Sequence, residues 1–203
     1  THDANFDGHT PLEGASAFLI ATGKGNVLAA TAKHLIHRQG GVNPELEIRD
    51  VDRSIKSWRL FPRTLPNHFV EVDKLGCDGL DGDHDWLILS VRQAGALPST
   101  PLRLRSSPVK VNEKVFLVGC PYDETDCRQN VYRGTVTQRW EHTFRFDLDP
   151  PVDLRGFSGA PIVDDDGHVV GVMSIGFRPA QKGSKYLEGG GDDATHIYRF
   201  VEQ

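Results

Sequence analysis

The sequence of 203 residues predicts an all-β fold, and three observations support this prediction. About ten short apolar segments recur along the chain, each bounded by turn residues, which is typical of short strands. Glycine (21) and proline (12) together make up about 16% of the residues, against an average near 12%, so turns are frequent. Only the segment 194–203 has a clear helical pattern.

The first predicted strands form a hairpin. Segments 15–22 and 27–32 are apolar and flank the glycine-containing turn 23–26, which favours a β-hairpin. Segments 160–163 and 169–175 flank Asp-Asp-Asp-Gly at 164–167, a second strong hairpin signal. The other predicted strands are 45–49, 57–61, 68–72, 86–91, 114–119, 132–139 and 143–147.

The predicted helix 194–203 places Ile197, Phe200 and Val201 on one face, behind Asp192 and Asp193 as candidate N-caps. Two further segments contain residues that favour irregular structure. The stretch 94–108 is rich in proline and serine and is predicted to link two halves of similar size. The stretch 183–193 contains three consecutive glycines and is predicted to be flexible.

Composition excludes several classes of protein. Hydrophobic residues make up 38% and charged residues 25% of the chain, which fits a globular protein. The net charge of −5 argues against a general nucleic-acid partner or an anionic membrane surface, because both require a basic protein face. The longest apolar runs are far shorter than the roughly 18 residues of a membrane span. A chain that starts at Thr1 is compatible with removal of a leader or a neighbouring domain.

Three cysteines are present, Cys77, Cys120 and Cys127. They cannot all pair with one another, and none forms a Cys-x-x-Cys motif. A bridge between Cys120 and Cys127 and unpaired thiols are both compatible with this spacing.

The most informative segment is Gly-Phe-Ser-Gly-Ala-Pro at 156–161. Glycines on both sides of Ser158 allow a sharp turn that exposes the hydroxyl, and they allow two N–H groups to point at one spot, as an acyl-transfer oxyanion requires. The Gly-x-Ser-x-Gly elbow of α/β-hydrolases would need glycine at position 160, and Ala160 excludes it. Taken alone, Ser158 is equally compatible with an ordinary turn serine.

Two other segments supply a histidine and a carboxylate. The apolar strand 27–32 is followed by Lys33 and His34, with small residues that leave room for a neighbouring segment. Asp85 lies at the mouth of the apolar strand 86–91, where it can accept a hydrogen bond from a histidine and fix its tautomer. Asp81 and Asp83 lie in the same acidic run, and Asp85 is favoured because it directly abuts the strand.

The Gly-x-Ser-Gly-x-Pro, Thr-Ala-x-His and Asp-x-Leu-Ile-Leu segments resemble the three signature regions of chymotrypsin-like serine proteases, in the same His, Asp, Ser order. The resemblance covers nearly the whole chain and is closest to bacterial trypsin-like peptidases. It implies two six-stranded antiparallel β-barrels with a C-terminal α-helix. Residues 1–98 would form the barrel that carries His34 and Asp85, and residues 99–203 the barrel that carries Ser158.

The resemblance also implies a role for each residue. Ser158 would attack the scissile carbonyl, His34 would act as base and then acid, and Asp85 would orient the imidazole. The N–H groups of Gly156 and Ser158 would bind the oxyanion, with no cofactor involved. The implied function is a serine endopeptidase acting on proteins or peptides. The alternative is a protease-like module that binds peptides or a partner protein without turnover.

Substrate contacts are implied at two places. The segment Gly-Val-Met-Ser-Ile-Gly at 171–176 is similar to the strand that lines the family's cleft, so Ser174 and Gly176 would pair with the substrate backbone. Ile175, between them, would also bind substrate. The floor of the specificity pocket corresponds to Val152, which implies apolar or small side chains. If a one-residue shift places Asp153 there, the preference would be Lys or Arg.

One departure from the family has a functional consequence. Phe157 stands where animal trypsins have an aspartate that captures a newly cut N-terminus. A phenyl ring cannot form this ion pair, so we expect no activation by N-terminal insertion. Residues added before Thr1 should therefore leave activity intact. The sequence is also compatible with further domains in a longer chain as partners of this unit.

No metal site is predicted. His37, His84 and His142 lack the spacing to cysteine that marks a zinc site. The acidic run 78–85 also fails as a calcium loop of the EF type. Counted from Asp81, its sixth position is Trp86 where that loop requires glycine, and its twelfth is Arg92 where it requires a carboxylate.

Overall fold

The computed structural model describes residues 1–78, 84–92, 95–181 and 185–202. In this part of the chain thirteen strands form two sheets, joined by short turns and two α-helices. The elements are β1 (His2–Phe6), β2 (Leu12–Gly14), β3 (Ala17–Ala21), β4 (Val27–Thr31), α1 (Val51–Ser54), β5 (Ile55–Leu60), β6 (Val70–Asp78), β7 (Leu87–Arg92), β8 (Lys114–Gly119), β9 (Asn130–Arg139), β10 (Thr143–Val152), β11 (Pro161–Val163), β12 (Val169–Gln181), β13 (Lys185–Asp193) and α2 (Ala194–Val201).

The N-terminal lobe is a seven-stranded antiparallel sheet with the order β2-β1-β5-β6-β7-β4-β3. It curls around a core that includes Trp58, Leu87 and Leu89. The expected six-stranded closed barrel differs in detail here, because the sheet has seven strands and its edge strands β2 and β3 do not pair with each other within the described residues. The two-lobed, all-β architecture itself is confirmed.

The C-terminal lobe is a closed six-stranded antiparallel barrel with the order β10-β13-β12-β11-β8-β9. Its core includes Phe144, Phe146 and Phe157. The glycine-rich stretch that was expected to be flexible is strand β13 instead, in its described part. A side chain on Gly189 would lie closer than 3.0 Å to the ring of Phe146, so these glycines make room for the aromatic core.

A third apolar cluster joins the two lobes. Trp86 and Ile88 of the N-terminal lobe pack with Val172 of the barrel and with Ile197 of α2. The predicted linker, in its described part 95–108, is tied to both sheets through the bridges of Leu102 to Ile20 and of Leu104 to Val169. The boundary between residues 98 and 99 stays a prediction.

Helix α2 confirms the helical pattern at the end of the chain. The side chain of Asp193, one of the two candidate N-caps, accepts a hydrogen bond from the Thr195 N–H at 2.9 Å. None of the helices in the described residues has the length and apolarity that crossing a bilayer requires.

Ten predicted strands correspond to observed strands, and the predicted strand 45–49 is wrong. That segment is irregular and ends in a 3-10 turn at Ile48–Asp50. Strands β1, β2 and β13 were not predicted. Of the two alternatives for the cysteines, the structure shows a disulfide between Cys120 and Cys127, with Cα atoms 5.8 Å apart.

Candidate active site

A histidine–carboxylate pair forms where strands β4 and β7 lie side by side. His34 follows β4 in a 3-10 turn, and Asp85 precedes β7. The antiparallel register places Thr31 opposite Leu87, which brings the two flanking residues together. Nδ1 of His34 lies 2.5 Å from Oδ2 of Asp85, and the His34 backbone N–H donates to Oδ1 at 2.7 Å. Oδ2 therefore holds the imidazole, and Oδ1 holds the backbone of the same residue.

A second donor reaches the same carboxylate. The Ser174 hydroxyl of β12 donates a hydrogen bond to Oδ2 of Asp85. Burial alone would raise the pKa of Asp85, but the hydrogen bonds and charge of His34, with the hydrogen bond of Ser174, hold it below its usual value. Asp85 is therefore ionised at neutral pH. Ser174 was expected only to pair with substrate backbone, so its link to Asp85 is a contact that the sequence did not reveal.

Asp85 is also held through its own backbone. Its N–H donates to Oδ1 of Asp192 at 3.2 Å, and its carbonyl accepts from the Lys33 N–H at 3.3 Å. Burial raises the pKa of Asp192 to about 7. Asp192 was considered only as a helix cap, and the structure gives that role to Asp193. The competing carboxylates Asp81 and Asp83 lie outside the described residues.

The loop that carries Ser158 turns sharply between β10 and β11. Gly156 and Gly159 have φ angles of +89° and +84°, a region that favours glycine. The Ser158 carbonyl accepts from the Ser16 N–H at 2.9 Å, and the Ser16 hydroxyl donates to the Gly156 carbonyl at 2.7 Å. The loop is thus fastened to the segment that leads into β3, in the opposite lobe.

Gly159 shows how closely the two lobes approach at this loop. A Cβ atom on Gly159 would lie closer than 3.0 Å to the Ser16 carbonyl oxygen, to Oγ1 of Thr31 and to the backbone nitrogen of Ala32. Thr31 and Ala32 stand just before Lys33 and His34 in the chain. The segment that carries Ser158 therefore packs against the segment that carries His34.

The backbone donors of the loop divide into two groups. The N–H groups of Phe157, Gly159 and Ala160 donate to carbonyls at 3.1, 2.8 and 2.7 Å. The N–H groups of Gly156 and Ser158 donate to no acceptor within the described part of the chain. These are the two donors that the family resemblance implies for the oxyanion.

Phe157 anchors the loop from inside the barrel. Its side chain is fully buried and packs edge-on against Tyr132, with ring centroids 5.5 Å apart. An apolar anchor thus occupies the position where animal trypsins use an ion pair. That the loop orders without an inserted N-terminus stays a prediction.

The two candidate pocket-floor residues lie in different environments. Val152 is 4% exposed and packs in the barrel core. Asp153 is paired with Arg155, whose Nε lies 3.0 Å from Oδ2, and Arg155 also contacts Asp123 at 2.5 Å. The hydrogen bond from Arg155 lowers the pKa of Asp153, so its charge is already balanced within the protein.

The predicted substrate strand has one edge available. In β12, Ile175 and Gly176 pair with Gly190 and Gly189 of β13. On the other edge, the pairing with β11 ends at Val172, so no described strand covers 174–176. The Ile175 side chain is 52% exposed, while Gly176 lies against Tyr186 and Leu154, leaving little space for a side chain.

Comparisons with known proteins establish the family and the fold of the chain. The model of the trypsin-like peptidase domain matches residues 15–172. No curated protein matches the chain by sequence. Among solved structures, a Glu endopeptidase in complex with MPD has a TM-score of 0.62 at 15% identity and covers 98% of this chain and 87% of its own. The inactive form of the Rv3671c protease has a TM-score of 0.58 at 16% identity, with 98% and 86% covered. A serine-to-alanine mutant of Rv3671c from M. tuberculosis H37Rv, also in the inactive form, has a TM-score of 0.57 at 16% identity, with 98% and 83% covered. These similarities confirm the chymotrypsin-like fold.

Proposed function

The chain belongs to the trypsin-like peptidase domain family, and we propose that it is a serine endopeptidase that cleaves proteins or peptides through an acyl-enzyme on Ser158. The observation that carries the proposal is the His34–Asp85 pair, with Nδ1 and Oδ2 2.5 Å apart, beside the loop of Ser158. A binding module without turnover would have no need for a charged carboxylate that fixes a partly exposed imidazole.

The proposed chemistry assigns one step to each of these residues. With Nδ1 donating to Asp85, the unprotonated Nε2 of His34 can accept the proton of the Ser158 hydroxyl as its oxygen attacks the scissile carbonyl. Asp85 stabilises the imidazolium that forms. The N–H groups of Gly156 and Ser158 bind the oxyanion, and each such donor contributes about 3–4 kcal/mol to the transition state. His34 then gives its proton to the leaving amine, and water hydrolyses the ester by the same route.

The open edge of β12 supports the proposed binding mode. A substrate in extended conformation can add as a strand to residues 174–176, using backbone hydrogen bonds that do not depend on its sequence. Side-chain selection would then come from the pocket beside this edge.

We favour apolar or small side chains at the cleavage site. Asp153 is the carboxylate that a Lys or Arg preference would use, and Arg155 already balances its charge. Tyr186 and Leu154 line the space beside Gly176 and present apolar surface. A role for Val152 as pocket floor stays a prediction, since its side chain packs in the barrel core.

The proposal is tested by digesting a random peptide pool with the native protein, Ser158→Ala and the control Ser107→Ala. Ser107 is an exposed serine on the surface. We expect the native protein and Ser107→Ala to cleave equally, mainly after apolar or small residues, and Ser158→Ala to lose at least a thousandfold in rate. Cleavage after Lys and Arg would overturn the pocket assignment. A folded native protein that binds peptides without cleaving them would favour the binding module.

A further inference from the structure

Three histidines from three separate elements meet on one side of the molecule. His84 lies just before β7, His142 lies in the turn between β9 and β10, and His196 lies in the first turn of α2. Their ring centroids are 4.4 to 4.8 Å apart. One ring nitrogen from each residue lies within 4.8 Å of the other two. None of the three histidines is a proposed catalytic residue, although His84 directly precedes Asp85 in the chain.

We propose that His84, His142 and His196 bind one Zn²⁺ ion. Imidazole nitrogen is a preferred zinc ligand, with Zn–N distances of about 2.0–2.1 Å, so two ligand nitrogens on a tetrahedral ion lie about 3.4 Å apart. Nδ1 of His142 and Nε2 of His196 are 2.9 Å apart, so a small separation of these rings accommodates an ion between them. The proposal revises the expectation that no metal site exists.

A carboxylate stands beside the histidines, as it does in many metal sites. Oδ1 of Asp192 lies 3.4 Å from Nδ1 of His84, and both side chains are buried. In this position Asp192 serves either as a further ligand or as the acceptor that orients a metal-bound imidazole. When ionised, the Asp192 carboxylate offsets part of the charge of the cation in both cases.

The backbone holds the ligands in place. The carbonyl of His142 accepts from the Asp193 N–H at 2.8 Å, and the side chain of Asp193 caps the helix that carries His196. Asp193 therefore connects the turn that carries His142 to the N-terminus of the helix that carries His196. A cleft of about 250 Å³ opens beside His196, and its lining also includes Glu141, Arg139 and Arg199.

A second group of possible ligands, Asp164, Asp166 and His168, carries no such proposal. Oδ1 of Asp164 accepts from the N–H groups of Asp166 and His168 and closes the hairpin turn. Oδ2 of Asp164 lies 3.3 Å from Nη1 of Arg105. A cation there would have to displace a guanidinium, and the turn already explains the cluster.

The position of the three-histidine site gives it a structural role. His84 belongs to the N-terminal lobe, while His142 and His196 belong to the barrel and its helix. A bound ion would crosslink the two lobes one residue away from Asp85, whose N–H is held by Asp192. An effect on peptidase activity through Asp85 rests on the proposed function, whereas metal binding does not.

Metal binding is measured on protein that carries Ser158→Ala, so that the result is independent of turnover. Metal-depleted protein is titrated with Zn²⁺ by calorimetry and with Co²⁺ by visible absorption. We expect one equivalent of each ion and the intense absorption of four-coordinate Co²⁺. His142→Ala and His196→Ala should each weaken binding at least tenfold. His68→Ala, which removes an exposed histidine elsewhere, should have no effect.

Thermal unfolding provides the second measurement. Zn²⁺ should raise the melting temperature of the parent and of His68→Ala, and should not raise that of His142→Ala or His196→Ala, because an ion bound only to the folded state stabilises it. Absence of stoichiometric binding by the folded parent would overturn the proposal and leave a hydrogen-bonded histidine cluster. Equal binding by His142→Ala and His68→Ala would overturn it as well.

Discussion

Asp85 receives three hydrogen bonds through its carboxylate, two from His34 and one from Ser174. Each donor comes from a different group, namely a backbone N–H, an imidazole N–H and a hydroxyl. Together they leave the imidazole one orientation and one tautomer, with the proton on Nδ1. In the proposed mechanism this is the arrangement in which Nε2 can act as the base.

Asp85→Asn tests the role of this carboxylate. An amide of nearly the same size can donate to Nδ1, which stabilises the tautomer with the proton on Nε2 and removes the base. We expect kcat on a chromogenic peptide to fall by roughly 10³–10⁴, with the fold retained by circular dichroism. Asp165→Asn, at an exposed turn, is the matched control. A loss smaller than tenfold would contradict the assignment.

Gly159 is the residue at which the loop of Ser158 touches the opposite lobe. A methyl group at this position would collide with Ser16, Thr31 and Ala32, because its carbon would lie closer than 3.0 Å to an atom of each. Gly167 has a similar φ of +80° but no atom within 4 Å of the corresponding methyl position. Alanine substitutions at the two glycines therefore separate the loss of stability caused by collision from the loss caused by the backbone conformation.

Gly159→Ala should lower the free energy of unfolding by several kcal/mol and abolish peptidase activity, because the lobes must move apart at the site. Gly167→Ala should cost only about 1–2 kcal/mol, the conformational penalty alone, and keep full activity. Urea denaturation and peptide hydrolysis measure both effects. Equal stability and activity in the two variants would show that the close approach at Gly159 is unimportant.

Among the secondary-structure elements, β1 holds residues next to the candidate active site through hydrogen bonds of His2. His2 is buried in β1, and its Nδ1 accepts from the Trp58 indole N–H at 3.0 Å. Because an indole can only donate, Nδ1 carries no proton, and Nε2–H donates to the Ser16 carbonyl at 2.9 Å. The Thr31 hydroxyl donates to the same carbonyl at 2.7 Å. A neutral His2 thus helps to fix Ser16 and Thr31, two of the three residues that approach Gly159.

The buried His2 predicts that acid destabilises the fold. Burial lowers its pKa to about 3, below the value near 6.5 in the unfolded chain, so between these values the unfolded state binds the extra proton. The contribution of neutral His2 to the free energy of unfolding is complete above pH 6.5 and declines as the pH falls toward 3. Between pH 7 and 5 this one group should cost about 2 kcal/mol of stability.

Urea denaturation of the native protein and of His2→Gln at pH 7 and pH 5 measures this contribution. Glutamine keeps polar atoms near Trp58 and Ser16 but does not titrate. The loss of stability on acidification should be about 2 kcal/mol smaller in the variant than in the native protein. An identical loss in both proteins would show that His2 is not the titrating group.

The elements that were missed lack ordinary strand patterns. In β1 the inward positions are His2, Ala4 and Phe6, and a histidine facing a core is not a hydrophobic signal. Strand β13 contains three glycines that were interpreted as flexibility, whereas they admit Phe146 and Ile162 into the barrel. Alternating apolar strands such as β8 were predicted with correct bounds, because their pattern is local.

For the whole molecule, the resemblance to a family supplied the two-lobed arrangement, and strand patterns alone supplied only the all-β class. Local motifs predicted the roles of His34, Asp85 and Ser158, because each residue adjoins a recognisable segment. The sequence contains no local motif that predicts the contacts between the two lobes. Three such contacts depend on how the sheets pack, which the spacing of residues in the chain does not reveal. They are the hydrogen bond from Ser174 to Asp85, the hydrogen bond from the Asp85 N–H to Asp192, and the cluster of three histidines.

The central claim is that folding joins Ser158, His34 and Asp85 into one nucleophilic unit. The most direct measurement is labelling with a fluorophosphonate, followed by mass spectrometry of the digested protein. We predict a single adduct on Ser158 of the native protein, with no adduct on folded His34→Ala over the same time. An adduct on another residue, or labelling of Ser158 at the same rate without His34, would contradict it.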